Sequence, residues 1–144
     1  MDTVIIREAR LEDLDKVFAL VNELENFSLD KKQFTSTYKA NLGNPSISYL
    51  VATFDMEVVG FVGLYISGLL HHAGKVAQIQ ELVVNPKFRS QGIGKKLFLE
   101  AEKIAKQNCG LIELTSNINR ERAHKFYTDK MGMKMTSYKF IKLL

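Results

Sequence analysis

Two groups of residues in this chain combine types and spacing that could do chemistry, and a third deserves weighing beside them. The first is the run Arg89-Ser90-Gln91-Gly92-Ile93-Gly94, followed by Lys95 and Lys96. Two glycines one residue apart, where a strand-like segment gives way to a helical pattern, leave backbone N–H groups uncovered by side chains. Such donors at a helix N-terminus, beside Arg89, Lys95 and Lys96, make a receptacle for phosphate. Many strand–helix turns use glycine only for packing, so the neighbours decide. The second is Glu81, the one acid in the apolar strand Ile79 to Val84. A carboxyl there is costly unless partnered, which makes it either a functional group or half of a structural ion pair. Alternation sets Glu81 opposite Gln80, and a bulge would decide which of the two faces a substrate. The third is the adjacent pair His71-His72, able to serve as a metal ligand or as a base near neutral pH, or simply to sit solvated in a loop.

The elements that must position these groups follow from periodicity. Thr3 to Arg7 reads as a short β-branched strand. Leu11, Leu14, Phe18, Val21 and Leu24 recur at helical spacing, with Glu12, Asp13, Asp15 and Lys16 mostly on the other face. Phe27-Ser28-Leu29 is a connector, and Asp30 is a candidate N-cap for a second helix to about Leu42, broken by Gly43-Asn44-Pro45. Ile47 to Phe54 and Val58 to Ile66 flank a turn at Asp55-Met56-Glu57, an antiparallel hairpin. Leu69 to Gly74 leads out of it, and Lys75 to Val84 is the next strand, ended by Asn85-Pro86.

Gly92 opens a helix through about Gln107, with Ile93, Leu97, Ala101, Ile104 and Ala105 as its buried stripe and Asn108-Cys109-Gly110 as its stop. Leu111 to Thr115 is a strand, Asn119 to Lys130 a short helix, and Met135 to Leu143 a final strand. The expected class is α/β, a mixed sheet covered by helices on both faces, in one domain over residues 1–144.

Composition narrows the setting. A chain of 144 residues with 46% hydrophobic and 25% charged residues is ordinary for one soluble globular domain. No apolar run approaches the roughly 20 residues that span a bilayer, and the N-terminus is not that of a signal peptide. The single cysteine, Cys109, excludes an internal disulfide and any cysteine-cluster zinc site, so a cytoplasmic protein is expected. Charge is uneven: residues 1–64 carry a balance of −4 and residues 65–144 one of +8. Either this is a solvated mixed surface, or the second half takes an acidic ligand while the first helps attract a cationic one. No basic-plus-aromatic stripe suggests nucleic acid.

The run V-V-N-P-K-F-R-S-Q-G-I-G-K-K-L resembles the acyl-CoA motif of the GNAT family of N-acetyltransferases, with Arg89, Gly92 and Gly94 at its core positions. A second signature of that family resembles Arg120, Ala123, Phe126 and Tyr127 followed by Met131-Gly132-Met133, with Arg120 where Asn is common and Met133 in place of an aromatic. The inferred order β-α-α-β-β-β-α-β-α-β is also similar over the whole chain. The resemblance implies acetyl-CoA as cosubstrate, its pyrophosphate on the N–H groups from Gln91 through Gly92, Ile93 and Gly94 to Lys96. Its pantetheine arm would pair with the backbone of Leu82, Val83 and Val84. The basic residues around the turn fit this, although Lys103 and Lys106 read better as solubilising charges.

The same resemblance makes Tyr127 the general acid for the departing thiolate and the N–H of Val83 or Val84 the oxyanion donor. Glu81 is the candidate base. Asn117, Asn119, Arg122 and Phe126 fall to the cofactor side, where Asn119 could equally be the N-cap of the helix carrying Tyr127.

Leu69-Leu70-His71-His72, the strand Ile79 to Val84, and the tail from Glu113 resemble one subgroup, the aminoalkylphosphonate N-acetyltransferases. That implies a small amine bearing a phosphonate as acceptor and a divalent cation as a further requirement, with no ligand set assigned. His71, His72 and Gln80 are then the candidate substrate contacts. No Asp or Glu lies within eight residues of the histidines, so a metal there needs ligands from elsewhere, such as Glu81 or Asp30. Lys31, Lys32 and Lys75 are conceivable anion contacts. Another amine as acceptor (a polyamine, an aminoglycoside, a protein N-terminus or lysine) and a non-catalytic acetyl-CoA-binding module are the competing readings. A homodimer is allowed by analogy, with an exposed final strand as a ready edge.

Overall fold

A computed structural model describes residues 3–25 and 28–144; Phe27 of the expected connector lies outside them. The described residues fall into two compact units, one running to Glu113 and the other from Leu114 to Leu144.

The first unit is built on a meander. β1 (Val4–Glu8), β2 (Ile47–Phe54), β3 (Glu57–Leu69) and β4 (Gly74–Val84) pair antiparallel in sequence order, and β5 (Ile112–Leu114) follows β4 in the sheet. The β2–β3 hairpin turns on Asp55 and Met56, with φ of 48° and 69°. Two positive φ values in a two-residue loop give the primed turn whose twist suits a hairpin, although neither residue is glycine. Phe54 pairs with Glu57 there, and a bulge at Val59 then shifts the register, so that Ala52 pairs with Gly60 and Tyr49 with Gly63.

Helices cover both faces, as expected. Gly60 and Gly63 have opposite parity in β3 and so face opposite ways. A Cβ at Gly60 would meet Leu97 Cδ1 at 2.9 Å, so this glycine admits α3 (Ile93–Ala105) onto its face of the sheet. α3 buries Ile93, Leu97, Phe98, Ala101 and Ala105; Phe98 joins the expected stripe, while Ile104 is only half-buried. On the other face lie α1 (Leu14–Glu25) and α2 (Lys31–Leu42). Val17, Leu20 and Val21 of α1 and Tyr38 of α2 pack with Val51, Phe61 and Val83 of the sheet. Burying each such aliphatic side chain contributes about 1.5–3 kcal/mol. Asp30 caps α2 as expected, its carboxylate accepting from Gln33 N–H at 2.9 Å.

Several expectations need correction. Leu11 lies in a 3-10 turn (Leu11–Asp13) before α1 and is half-exposed, while Val17 and Leu20 carry the buried stripe. Asp13, placed on the polar face by the helical count, is buried. It accepts two bonds from the Arg7 guanidinium, at 2.8 and 2.9 Å, and one from Arg10 N–H. The α-helix begins at Leu14, one turn later than the apolar spacing predicts.

In the second unit, α4 spans only Glu121–Lys125 and passes into a π turn, Phe126–Lys130. Its N-cap is Arg120, not Asn119, because Asn117 accepts through its side chain from Asn119 N–H and through its carbonyl from Arg120 N–H. Met135 to Leu143 forms no strand: it joins no ladder, and Tyr138, Phe140 and Ile141 are exposed. A strand exists only where a neighbour takes its backbone hydrogen bonds, and alternation alone does not supply one. Among the described residues the order therefore ends on α4 and its π turn, with five strands in the sheet.

Candidate active site

The β3–β4 ladder places Glu81. Gly63 pairs with Glu81 and Leu64 with Ile79, so Gln80 is the extra residue of a bulge in β4. The bulge resolves the ambiguity of the sequence. Gln80 is thrown out to solvent, and Glu81 turns to the α1/α2 face, among the residues lining a cleft of about 260 Å³. Val17, Val21 and Glu25 of α1, Phe34, Thr37 and Tyr38 of α2, and Tyr49, Phe61 and Tyr65 of the sheet complete most of that lining. No basic residue of the described chain is among them.

The cleft is aromatic and hydrogen-bonded. Phe34 and Tyr38 stack at 6.2 Å, Tyr38 and Tyr49 at 5.6 Å, and Tyr49 meets Phe61 edge-on at 5.2 Å. Tyr38 Oη donates to Arg10 O at 2.7 Å, and Tyr65 Oη donates to Glu81 Oε1 at 3.4 Å. Burial pushes the Glu81 carboxyl up to about 7, the Tyr65 bond opposing that rise and the negative charge of Glu25 adding to it. A carboxyl poised there can take a proton near neutral pH. Burial also raises Tyr65, with the field of Glu81 behind it, and raises Tyr49.

His71 and His72 are not brought to this cleft. They occupy a 3-10 turn (Leu70–His72) at the tip of the β3–β4 hairpin, with rings 4.3 Å apart and exposed. β3 runs on to Leu69, about 20 Å along the strand from Gly63. β3 is thus three residues longer at this end than the expected strand, which stops at Ile66. Among the described residues no three His, Cys, Asp or Glu side chains converge as a metal site.

At the other end of β4, Asn85 N–H donates to Val59 O at 2.8 Å. Antiparallel alternation then turns the N–H of Val83 toward β3 as well, and those of Leu82 and Val84 away from it. The Val83 side chain belongs to the core. Of the two expected oxyanion donors, Val84 is therefore the one whose N–H leaves the β3 ladder. Its carbonyl, on the same outward side, accepts from Arg89 Nε at 3.1 Å. Arg89 also approaches Glu23, Nη2 to Oε1 at 3.9 Å, and so ties the Gly-rich turn to the end of β4.

Gly92 caps α3 with φ +81°, has no side chain to occupy the first-turn N–H groups, and opens on space. Gln91, Lys95 and Lys96 are exposed around it. Ile93 can offer only its N–H, because its side chain is buried in the core. The arrangement fits a phosphate group: free donors, positive charge and no Cβ.

Within the second unit Tyr127 is buried in the π turn, where Met131 N–H bonds to Phe126 O and Met133 N–H to Tyr127 O. π turns recur at functional sites. Burial raises the Tyr127 phenol, partly offset by Arg120. Asn117 is engaged with its own loop and with His124 Nε2 at 2.9 Å; Asn119 and Arg122 are exposed, and Phe126 meets the Tyr127 ring at 5.5 Å.

The Acetyltransferase (GNAT) family model matches residues 11–133, across both units. The chain belongs to the GNAT family. This GNAT protein is 42% identical over 140 residues to the aminoalkylphosphonate N-acetyltransferase of Salmonella typhimurium, covering 96% of this chain and 90% of that one. The crystal structure of a transcriptional regulator from Bacillus halodurans C-125 matches with TM-score 0.86 and 26% identity, covering 99% of each chain. The aminoglycoside N-acetyltransferase AAC(6')-Iy, solved with CoA, matches with TM-score 0.87 over 100% of this chain and 96% of that one, at 16% identity, which speaks to the fold. The chain is an N-acetyltransferase. No helix among the described residues is long and apolar enough to cross a membrane.

Sequence reasoning missed Tyr49, Tyr65, Tyr38, Asn41 and Glu25. Nothing local marks the two strand tyrosines: alternation counted back from the Asp55-Met56 turn puts Tyr49 and Tyr65 on opposite faces, and a bulge at Val59 brings them onto one face. Nothing in the sequence says that Glu81 shares it, because the bulge at Gln80 flips the parity of β4.

Proposed function

We propose that this GNAT enzyme acetylates the primary amine of a small molecule, an aminoalkylphosphonate, within one domain spanning residues 1–144. The observation that carries the site is Glu81 at the β4 bulge, facing an aromatic cleft with its carboxyl pushed up to about 7. The acceptor is supported by the 42% identity with the Salmonella typhimurium enzyme.

Glu81 takes a proton from the incoming ammonium, directly or through one water, freeing the nitrogen lone pair. The nitrogen adds to the thioester carbonyl, and the N–H of Val84 receives the developing oxyanion. As the tetrahedral adduct collapses, the C–S bond breaks, Tyr127 protonates the thiolate, and the nitrogen releases its second proton to water, from which Tyr127 is reprotonated. Its buried phenol keeps that proton through the neutral range. The Gly92 turn, with Gln91, Ile93, Gly94, Lys95 and Lys96, holds the pyrophosphate, and Arg89 fixes the turn. Leu82 and Val84 offer backbone to the pantetheine arm. Asn117, Asn119, Arg122 and Phe126 stay on the cofactor side by motif match alone.

Among the described residues none make a metal site, since of these only Glu25 and Glu81 supply carboxylates to the cleft. No step here runs through a metal.

One observation favours a second reading. Two carboxylates without a Lys or Arg in the lining suit a cationic acceptor such as a polyamine better than an anionic one. Free coenzyme A release across an amine panel, with and without chelator, separates these. Highest kcat/KM for aminoalkylphosphonates supports the first reading, and highest for polyamines the second. No turnover with acetyl-CoA still bound leaves a non-catalytic binding module.

A further inference from the structure

A file of four polar side chains crosses the α1/α2 face of the sheet and ends on Glu81. Asn41, from the last turn of α2, donates through Nδ2 to Tyr49 Oη at 2.6 Å. Tyr49 and Tyr65 share a bond of 2.8 Å between hydroxyls, and Tyr65 meets Glu81 Oε1 at 3.4 Å. Its members come in turn from α2, β2, β3 and β4, while α1 lines the same cleft without joining the file.

The supply of protons fixes the direction of the file. A phenol has one hydrogen to give. If Tyr65 gives its hydrogen to Glu81, it must accept from Tyr49. Tyr49, having given its hydrogen to Tyr65, must accept from Asn41, whose amide nitrogen only donates. All donors therefore point toward Glu81. Half-buried hydroxyls are costly without partners, and phenylalanine would pack as well, so their pairing serves the site and not the core.

We propose that Tyr65, oriented by Tyr49 and Asn41, is the positioning residue for Glu81 in acetyl transfer. It pins Oε1 by donation and leaves Oε2 to take the proton of the acceptor amine. This rests on the reading of Glu81 as the base. The bond at 3.4 Å is long for a hydroxyl on a carboxylate, as catalytic hydrogen bonds often are before substrate is bound. Around Glu81, the groups that act on its charge are Glu25 from α1, which opposes ionisation, and Tyr65 from β3, which favours it. Tyr38 of α2 and Tyr49 of β2 complete the titratable lining, and no Lys or Arg is present to substitute for the Tyr65 donor. Loss of that donor leaves a buried carboxylate with only a like charge near it.

The test compares Tyr65→Phe, Tyr49→Phe, Asn41→Ala and Glu81→Gln with the wild-type enzyme, each checked for folding by its melting temperature. The readout is kcat/KM against pH for the best amine of the panel. Tyr65→Phe is expected to move the acidic limb up by roughly half to one pH unit and to lower kcat at pH 7 roughly three- to tenfold. KM for acetyl-CoA stays unchanged. Tyr49→Phe and Asn41→Ala shift the limb the same way by less. An unshifted limb in folded Tyr65→Phe, with Glu81→Gln impaired, overturns the positioning role alone. Wild-type activity in Glu81→Gln overturns instead the reading on which it rests.

Discussion

Gly63 and Glu81 face each other across the β3–β4 ladder, and the Glu81 carboxyl lies where a side chain at position 63 would stand. A Cβ built on Gly63 falls onto Glu81 Oε1, with the Tyr49 ring edge next at 3.3 Å. The glycine is thus the floor on which the candidate base rests.

Gly63→Ala should therefore displace the carboxyl without unfolding the sheet, because the obstructing atom is the free end of a flexible side chain. The expected outcome is a loss of kcat of roughly tenfold or more with a melting temperature within a few degrees of wild type. Steady-state kinetics beside a thermal melt checks both halves.

Much of this arrangement was legible beforehand, and the misses have physical causes. Arg89, Gly92 and Gly94 announced the turn because glycine spacing and positive charge are local properties. Glu81 stood out because a carboxyl in an apolar strand is costly. Which way it faced was not legible, since one extra residue at Gln80 reverses the parity of β4 and no local signal marks it. His71 and His72 attracted attention by type, yet the hairpin carries them to its tip. Met135 to Leu143 has the alternation of a strand but no ladder, and pairing is a property of a partner. Tyr49, Tyr65 and Asn41 were silent because only the packed fold aligns them.

Gly92→Asp places a carboxylate and bulk at the mouth of the first turn of α3. Aspartate tolerates positive φ better than most residues, so the fold should survive the 81° at this position. Acetyl-CoA affinity is expected to fall by roughly a hundredfold, read by calorimetry, from like-charge repulsion of the pyrophosphate. Unchanged affinity in a folded variant would remove the turn from the cofactor site.

Tyr127→Phe keeps the ring and removes the proton. The expected effect is a fall in kcat of roughly a hundredfold with acetyl-CoA affinity preserved, within the usual range for loss of a general acid. An acetyl-donor thioester with a more acidic thiol should recover part of the loss.

Asp13 and Arg7 predict the acid limb of stability. The hydrogen bonds from Arg7 hold the Asp13 carboxyl below the usual carboxylate range, against the opposing effect of burial. A depressed folded-state value stabilises the protein above about pH 4, and that contribution is lost as pH falls further. Asp13→Asn should cost on the order of 1.5–3 kcal/mol at pH 7 and much less at pH 3. Urea unfolding at the two pH values measures the difference.

The claim that the cleft at the β4 bulge receives the acceptor is tested most directly by a crystal structure with a bisubstrate analogue, coenzyme A joined through an acetyl bridge to the amine. The account predicts the acceptor limb among Phe34, Tyr38, Tyr49 and Tyr65. Its nitrogen should lie within hydrogen-bond reach of Glu81, directly or through one water. An acceptor limb lying outside that cleft, with Glu81 touching neither it nor a bridging water, would contradict it.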